Sequence, residues 1–265
     1  MSERATSYRG VASRAAGAAR GGGVSVPLVL LHPLGVDHRF WDRVVEALPD
    51  TVGTPIVPDL LGHGSAALPP PEATVEDFAD AVERQLAGEE RVDLVGVSLG
   101  GLVALTLAAR RPHLVRRLVL ADTVAVYPEA MQAMWRQRAE VVRREGLAAV
   151  VEPMESLWLT EAFRRDEAAT ATRVRRILLA GDPEGYARTC LALATADTTG
   201  LVASVEAPVL VACGVDDALP FRLAARWLGE RLPAATVSWL PGRHATAYEH
   251  PQPFVDAVCG FLSSP

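Results

Sequence analysis

Ser98 closes the apolar run "VDLVGV" and stands between Gly96 and Gly100 in a G-x-S-x-G pattern, with the helix-forming "GLVALTLAARR" behind it. A serine between strand and helix must turn sharply, and small flanking residues let the two elements approach without Cβ clashes. The turn lifts the hydroxyl out of the strand end, and the first helical turn favours negative charge developing beside it. The chemistry this setting supports is nucleophilic attack on an acyl carbon. The structural alternative is a small residue that merely ends a buried strand, and the strand-serine-helix context weighs against it.

A serine hydroxyl needs a base to take its proton, and the base needs a carboxylate to orient it. Of six histidines, His244 in "LPGRHATAYEHPQPF" follows the last strand pattern and precedes the last helix, so its loop returns to the sheet's carboxyl edge. His32 and His63 read as hydrogen-bonded structural groups, and His38, His113 and His250 as surface or helix-end residues. "APVLVACGVDDALP" ends a strand in a loop carrying two acids. Asp217 is preferred as the partner of His244, Asp216 as its solvent-facing neighbour. Asp122, which ends "RRLVLAD", is a competitor because it also lies at a strand's carboxyl end. An oxyanion needs two N–H donors: Leu99, directly after the serine, and Leu34 in "LLHPLG", since Pro33 has no N–H to offer.

Parallel strands must position these groups. From Val26 onward, short β-branched runs alternate with amphipathic stretches, which predicts an α/β protein with a mostly parallel central sheet flanked by helices. Strands are expected at Val26 to Leu31, Pro55 to Val57, Val92 to Val97, Arg117 to Leu120, Pro208 to Cys213 and Thr236 to Leu240. Helices are expected at Phe40 to Leu48, Val75 to Ala87, Gly100 to Ala109, Phe221 to Arg231 and Pro251 to Leu262. Ligands of such sheets bind outside the strands' carboxyl ends. Residues 127–197 contain no β-rich run and read as a helical cap insertion, broken by Gly146, Pro153 and the Gly181 to Gly185 turn into about four helices. Residues 26–126 and 198–265 then form the core. Residues 1–25 read as an N-terminal arm, with one possible edge strand around Tyr8 to Val11 and a joint at Gly21 to Gly23.

Composition narrows the chemistry. All 26 basic residues are Arg, so Schiff-base lysines, Ser-Lys dyads and a Walker-type loop are excluded. A net charge of −6 argues against nucleic-acid partners. Cys190, Cys213 and Cys259 are scattered and read as reduced core residues. No metal site or cofactor is expected. No apolar stretch has the length of a secretory signal or a membrane span, so a cytoplasmic location is expected. Oligomeric state is left open.

With the residues placed, the chain resembles the α/β-hydrolase superfamily over about Val26 to Phe254, including the Ser, Asp, His order of the site. Within it, "HPLGVDHRFWD", "GDPEGYARTCLALATADT" and "GRHATAYEHPQPF" resemble the 3-oxoadipate enol-lactonases. The resemblance implies an α/β-hydrolase fold and a catalytic triad of Ser98, Asp217 and His244 with Leu34 and Leu99 as oxyanion donors. It implies hydrolysis of an ester or lactone of a small carboxylic substrate through an acyl-enzyme. Cap residues Met131, Met134, Trp135 and Trp158 are candidate substrate contacts, although their helical spacing also fits packing of the cap onto itself. Relatives carry a basic residue where Leu157 stands. The rival readings are another ester, thioester or carbon–carbon bond hydrolase, and a non-hydrolytic cyclase or ligand-binding protein using the same cavity.

Overall fold

A computed structural model of the chain describes residues 26–264. The edge strand expected around Tyr8 to Val11 and the joint at Gly21 to Gly23 lie outside the described residues. Five strands, β1 (Leu28–Leu31), β2 (Val92–Val97), β3 (Val115–Ala121), β4 (Val209–Gly214) and β5 (Ala235–Leu240), lie side by side in chain order, and every neighbouring pair is parallel. β1, β2 and β4 are buried at every position. A parallel sheet covered on both faces requires this, and it is why these strands read as unbroken apolar runs. β5 is the edge, and its "ATVSWL" keeps only Leu240 buried.

The strand expected at Pro55 to Val57 is reduced to one parallel bridge between Ile56 and Val29. Ile56 N–H donates to Leu28 O at 2.8 Å and its C=O accepts from Leu30 N–H at 3.0 Å. Pro58, the next residue in register, lacks an N–H, so pairing cannot extend past it towards the carboxyl end. The bridge still settles the topology. From β1 the chain passes outward to Ile56, then crosses back to β2 on the other side of β1. This reversal opens a crevice at the carboxyl ends of β1 and β2.

Helices cover both faces. α1 (Asp42–Ala47) follows a single 3-10 turn, His38–Trp41, where one longer helix was expected. α2 (Val75–Gln85) starts at a reciprocal cap between Thr74 and Asp77. α3 (Leu99–Arg110) is buried from Leu99 to Ala108 and runs directly behind Ser98. Between β3 and β4 the chain forms five α-helices rather than about four: α4 (Glu129–Glu145), α5 (Val151–Trp158), α6 (Glu161–Asp166), α7 (Ala168–Leu179) and α8 (Pro183–Thr195). Gly146, at φ 78°, ends α4 as expected. Pro153 instead sits inside the first turn of α5, where its missing N–H has no intrahelical acceptor to serve. The break falls at Thr160, whose hydroxyl caps α6. The segment is pinched at its base by a bridge between Val126 and Asp197 and by Thr198, whose N–H and hydroxyl both donate to Ala125 O. α9 (Leu219–Arg231), α10 (Thr246–Glu249) and α11 (Pro251–Leu262) complete the layers. No helix among the described residues is long and apolar enough to cross a membrane.

Two buried histidines tie the loop after β1 to the loop at residues 59–64. His32 accepts from Leu60 N–H at Nε2 and donates from Nδ1 to Pro33 O. His63 accepts from Gly35 N–H at Nε2 and donates from Nδ1 to Leu61 O. Each is therefore neutral, because a protonated ring could not accept. Burial, reinforced by the neighbouring His32, pushes His63 down to about 3. A pKa lowered by folding means that stability is fully present above the ordinary value near 6.5 and is lost as the pH falls from there towards 3. The cost from His63 is about 1.4 kcal/mol per pH unit in that window. Urea melts at pH 6.5 and 4.5 should show a steeper loss for the native chain than for His63→Gln, which keeps an acceptor for Gly35 but does not titrate. Parallel losses would assign the acid sensitivity elsewhere.

Candidate functional site

Ser98 joins β2 to α3 with φ 54° and ψ −112°, a conformation L-residues rarely adopt. The surroundings enforce it. A Cβ on Gly96 would lie 2.1 Å from Gly100 O, and one on Gly100 would lie 2.3 Å from Leu31 O, so the helix meets the strands backbone to backbone. Thr123 hydroxyl, 2.7 Å from Ser98 O, holds the turn from the β3 side.

The serine hydroxyl lies 2.9 Å from His244 Nε2, and His244 Nδ1 lies 3.0 Å from Asp217 Oδ2. All three are buried, at 7 %, 3 % and 2 % exposure. Asp217 follows β4, and its second oxygen accepts from Ala218 N–H at 2.6 Å. His244 follows β5, and Phe221 of α9 packs on its ring at 4.0 Å between centroids. A hydrogen-bonded line thus runs from hydroxyl through imidazole to carboxylate. With Asp217 holding the Nδ1 proton, Nε2 is left free to take the proton of Ser98, which is how such a line makes an alkoxide-like nucleophile at neutral pH.

Asp122 and Asp216 take other places. Asp216 is exposed, as expected of the solvent-facing neighbour. Asp122 is buried at the end of β3 with φ 46°, and its Oδ1 accepts from Gly214 N–H at 2.8 Å while its Oδ2 has no partner. Burial, then the nearby Asp217 carboxylate, pushes the Asp122 carboxyl well above the ordinary carboxylate range. Leu34 follows β1 and Leu99 opens α3, both buried. Neither N–H serves a protein acceptor among the described residues.

The loop carrying His244 is fastened to α5 and α6. Arg243 donates to Ser156 O, Ala245 N–H donates to Trp158 O at 3.2 Å, and buried Glu249 accepts from both the N–H and the hydroxyl of Thr160. Trp158 is buried edge-on to Phe40, 5.9 Å between centroids. Trp135 is buried against Tyr127, and Met131 and Met134 are half-buried beside the core. Residue-by-residue reading did not single out Tyr127 or Phe221. Tyr127 is buried with its hydroxyl next to Ser98, and the only signal it carried was its place shortly beyond a strand's carboxyl end. Two groups of potential metal-ligating atoms gather within 4.8 Å: Asp37, His38 and Asp59, and Asp122, Cys213 and Asp217. The first is knit together by ion pairs to Arg39 and His38, and the second contains the carboxylate already engaged by His244.

Comparison with known proteins places the chain among relatives of several activities. The chain is 28% identical over 233 residues to 3-oxoadipate enol-lactonase 2 of Acinetobacter baylyi, covering 87% of this chain and 86% of that one. It is 32% identical over 252 residues to the pimeloyl-[acyl-carrier protein] methyl ester esterase of Aromatoleum aromaticum, covering 85% and 93%. The crystal structure of the enol-lactonase from Burkholderia xenovorans superposes with a TM-score of 0.85 at 27% identity, covering 91% and 93%. Residues 28–257 match the family model described as "Alpha/beta hydrolase family", and the chain belongs to that family.

Proposed function

We propose that the protein is a serine hydrolase that cleaves an ester or lactone bond of a small carboxylic substrate, in the manner of a 3-oxoadipate enol-lactonase. The observation that carries this is the hydrogen-bonded line from Ser98 through His244 to Asp217. Ser98 Oγ attacks the acyl carbon as His244 takes its proton. The tetrahedral oxyanion is held by the N–H groups of Leu34 and Leu99, each worth about 3 kcal/mol of transition-state stabilisation. His244 then protonates the departing alkoxide or enolate, leaving an acyl-serine. Water, deprotonated by the same imidazole, releases the acid and restores Ser98. Asp217 orients the ring and stabilises the imidazolium without accepting the proton.

In this reading residues 127–197 form a cap over the serine, and residues 26–126 and 198–265 form the catalytic core. The cytoplasmic location expected from the sequence belongs to the same proposal. The lactone preference is supported by enol-lactonases among both the sequence and the structural relatives.

A fluorophosphonate should label the native chain at Ser98, and Ser98→Ala should lower kcat on an aryl ester by about 1,000-fold or more. Undiminished turnover by Ser98→Ala would end the acyl-enzyme reading. Asp217→Asn should cost about 1,000- to 10,000-fold in kcat, since the amide cannot hold the required tautomer. Asp122→Asn should cost less than about tenfold, because Asp122 lies outside the hydrogen-bonded line from Ser98 through His244 to Asp217 and the amide has the same shape. The reverse order of effects would move the acid from β4 to β3.

A further inference from the structure

The peptide unit between Gly242 and Arg243, directly ahead of His244, is gripped at both ends. Its C=O accepts from Asp216 N–H at 3.1 Å, on the loop that carries Asp217, and its N–H donates to Glu249 Oε2 at 3.2 Å. The other oxygen of Glu249 accepts from Thr160 N–H at 3.2 Å and from the Thr160 hydroxyl, which caps α6 by accepting from Phe163 N–H. His250 Nε2 stands 3.7 Å from that oxygen, beyond hydrogen-bond reach. Glu249 is 3 % exposed, and Gly242 makes its approach possible. At Gly242, with φ 96°, a Cβ would lie 2.9 Å from Glu249 Oε2. On the far side of His244, Ala245 N–H donates to Trp158 O, and Ala245 C=O accepts from the N–H groups of Tyr248 and Glu249.

A carboxyl group taken out of water is costly unless both its oxygens find donors. The donors that Glu249 finds belong to two segments far apart in sequence, the start of α6 and the loop of the base. We propose that Glu249 is a positioning residue for His244. It fixes the peptide ahead of the base and ties that peptide to Thr160, so that the seating of α6 sets the alignment of the imidazole between Ser98 and Asp217. The role rests on the acyl-transfer reading of Ser98 and deepens it. Because the same peptide also holds Asp216 N–H, a shift at Glu249 reaches the acid's loop as well as the base's. A glutamine has the shape of Glu249 but only one acceptor oxygen. Its NH2 must oppose either Thr160 N–H or Arg243 N–H, so one end of the tie is lost whichever way the amide turns.

Glu249→Gln should lower kcat on an aryl ester by about 10- to 100-fold, the scale of a small displacement of a catalytic group, while KM changes by less than about threefold. Thr160→Val cuts the opposite end of the tie and should show the same split, whereas Thr160→Ser, which keeps the hydroxyl, should keep the native kcat. Combining Glu249→Gln with Thr160→Val should cost no more than the larger single loss, since both sever one connection. Rates are compared per folded molecule, well below each variant's unfolding temperature. A matching rise in KM, or losses that multiply in the double variant, would show a general loosening of the fold and overturn the role. Alignment is read without turnover from the 15N spectrum of the histidine-labelled chain at alkaline pH, with His244 assigned through His244→Gln. The native ring should carry its proton on Nδ1, facing Asp217, and Glu249→Gln should move part of the population to the other tautomer. An unchanged tautomer would overturn the role of Glu249. Undiminished turnover by Ser98→Ala would instead remove the acyl-transfer reading, and the tautomer measurement would still decide what Glu249 does.

Discussion

The backbone of α3 lies against the backbones of β1 and β2 with no side chain between them, and the rest of the site depends on that contact. Gly96 faces Gly100 O, and Gly100 faces Leu31 O, at distances no Cβ could tolerate. The helix can begin only directly after the strand, so the joining residue must take a left-handed conformation, and Ser98 is that residue. Strain of this kind costs on the order of 1–3 kcal/mol and persists only when its surroundings over-determine it. Here a fully buried parallel sheet and a helix buried over ten successive residues do so.

From that turn the other groups follow by geometry. Successive parallel strands all end at the same edge, so the loops after β4 and β5 bring Asp217 and His244 to Ser98 from far along the chain. The Leu34 loop follows β1 at the same edge of the sheet, and His32 and His63 fix that loop through bonds available only to neutral imidazoles. Two carboxylic acids at adjacent strand ends then divide their roles by environment. Asp122 is buried and pushed up from the ordinary carboxylate range, whereas Asp217 accepts from His244 and from Ala218 N–H. Two buried like charges so close together would each forfeit hydration and repel the other.

The α4–α8 segment is coupled to this arrangement. Its base is closed by the bonds of Thr198 to Ala125, and its α5–α6 corner holds the His244 loop at Ser156, Trp158 and Thr160. Displacing that corner would therefore disturb the imidazole loop. The same segment brings Trp135 against Tyr127, with the Arg138 guanidinium over the indole.

Much of this was legible in the residues themselves. The glycine-flanked serine, the apolar runs and their order along the chain were enough for a parallel sheet and for expecting the His244 and Asp217 loops at its carboxyl edge, because strand-end position is a property of the linear pattern; Asp122 shares that position, and only the packed structure shows which acid meets His244. What only the tertiary structure decided concerns neighbours. Pro58 helps hold an expected strand to a single bridge, since pairing depends on which N–H groups meet a partner. Pro153 fell inside a helix rather than ending one, because its effect depends on the turn it occupies. The upward shift of Asp122, the packing of Phe221 on His244, and the approach of Tyr127, Trp135 and Arg138 to one another arise from through-space contact. A one-dimensional pattern sets the backbone path, but burial and electrostatic environment exist only once distant segments have packed together.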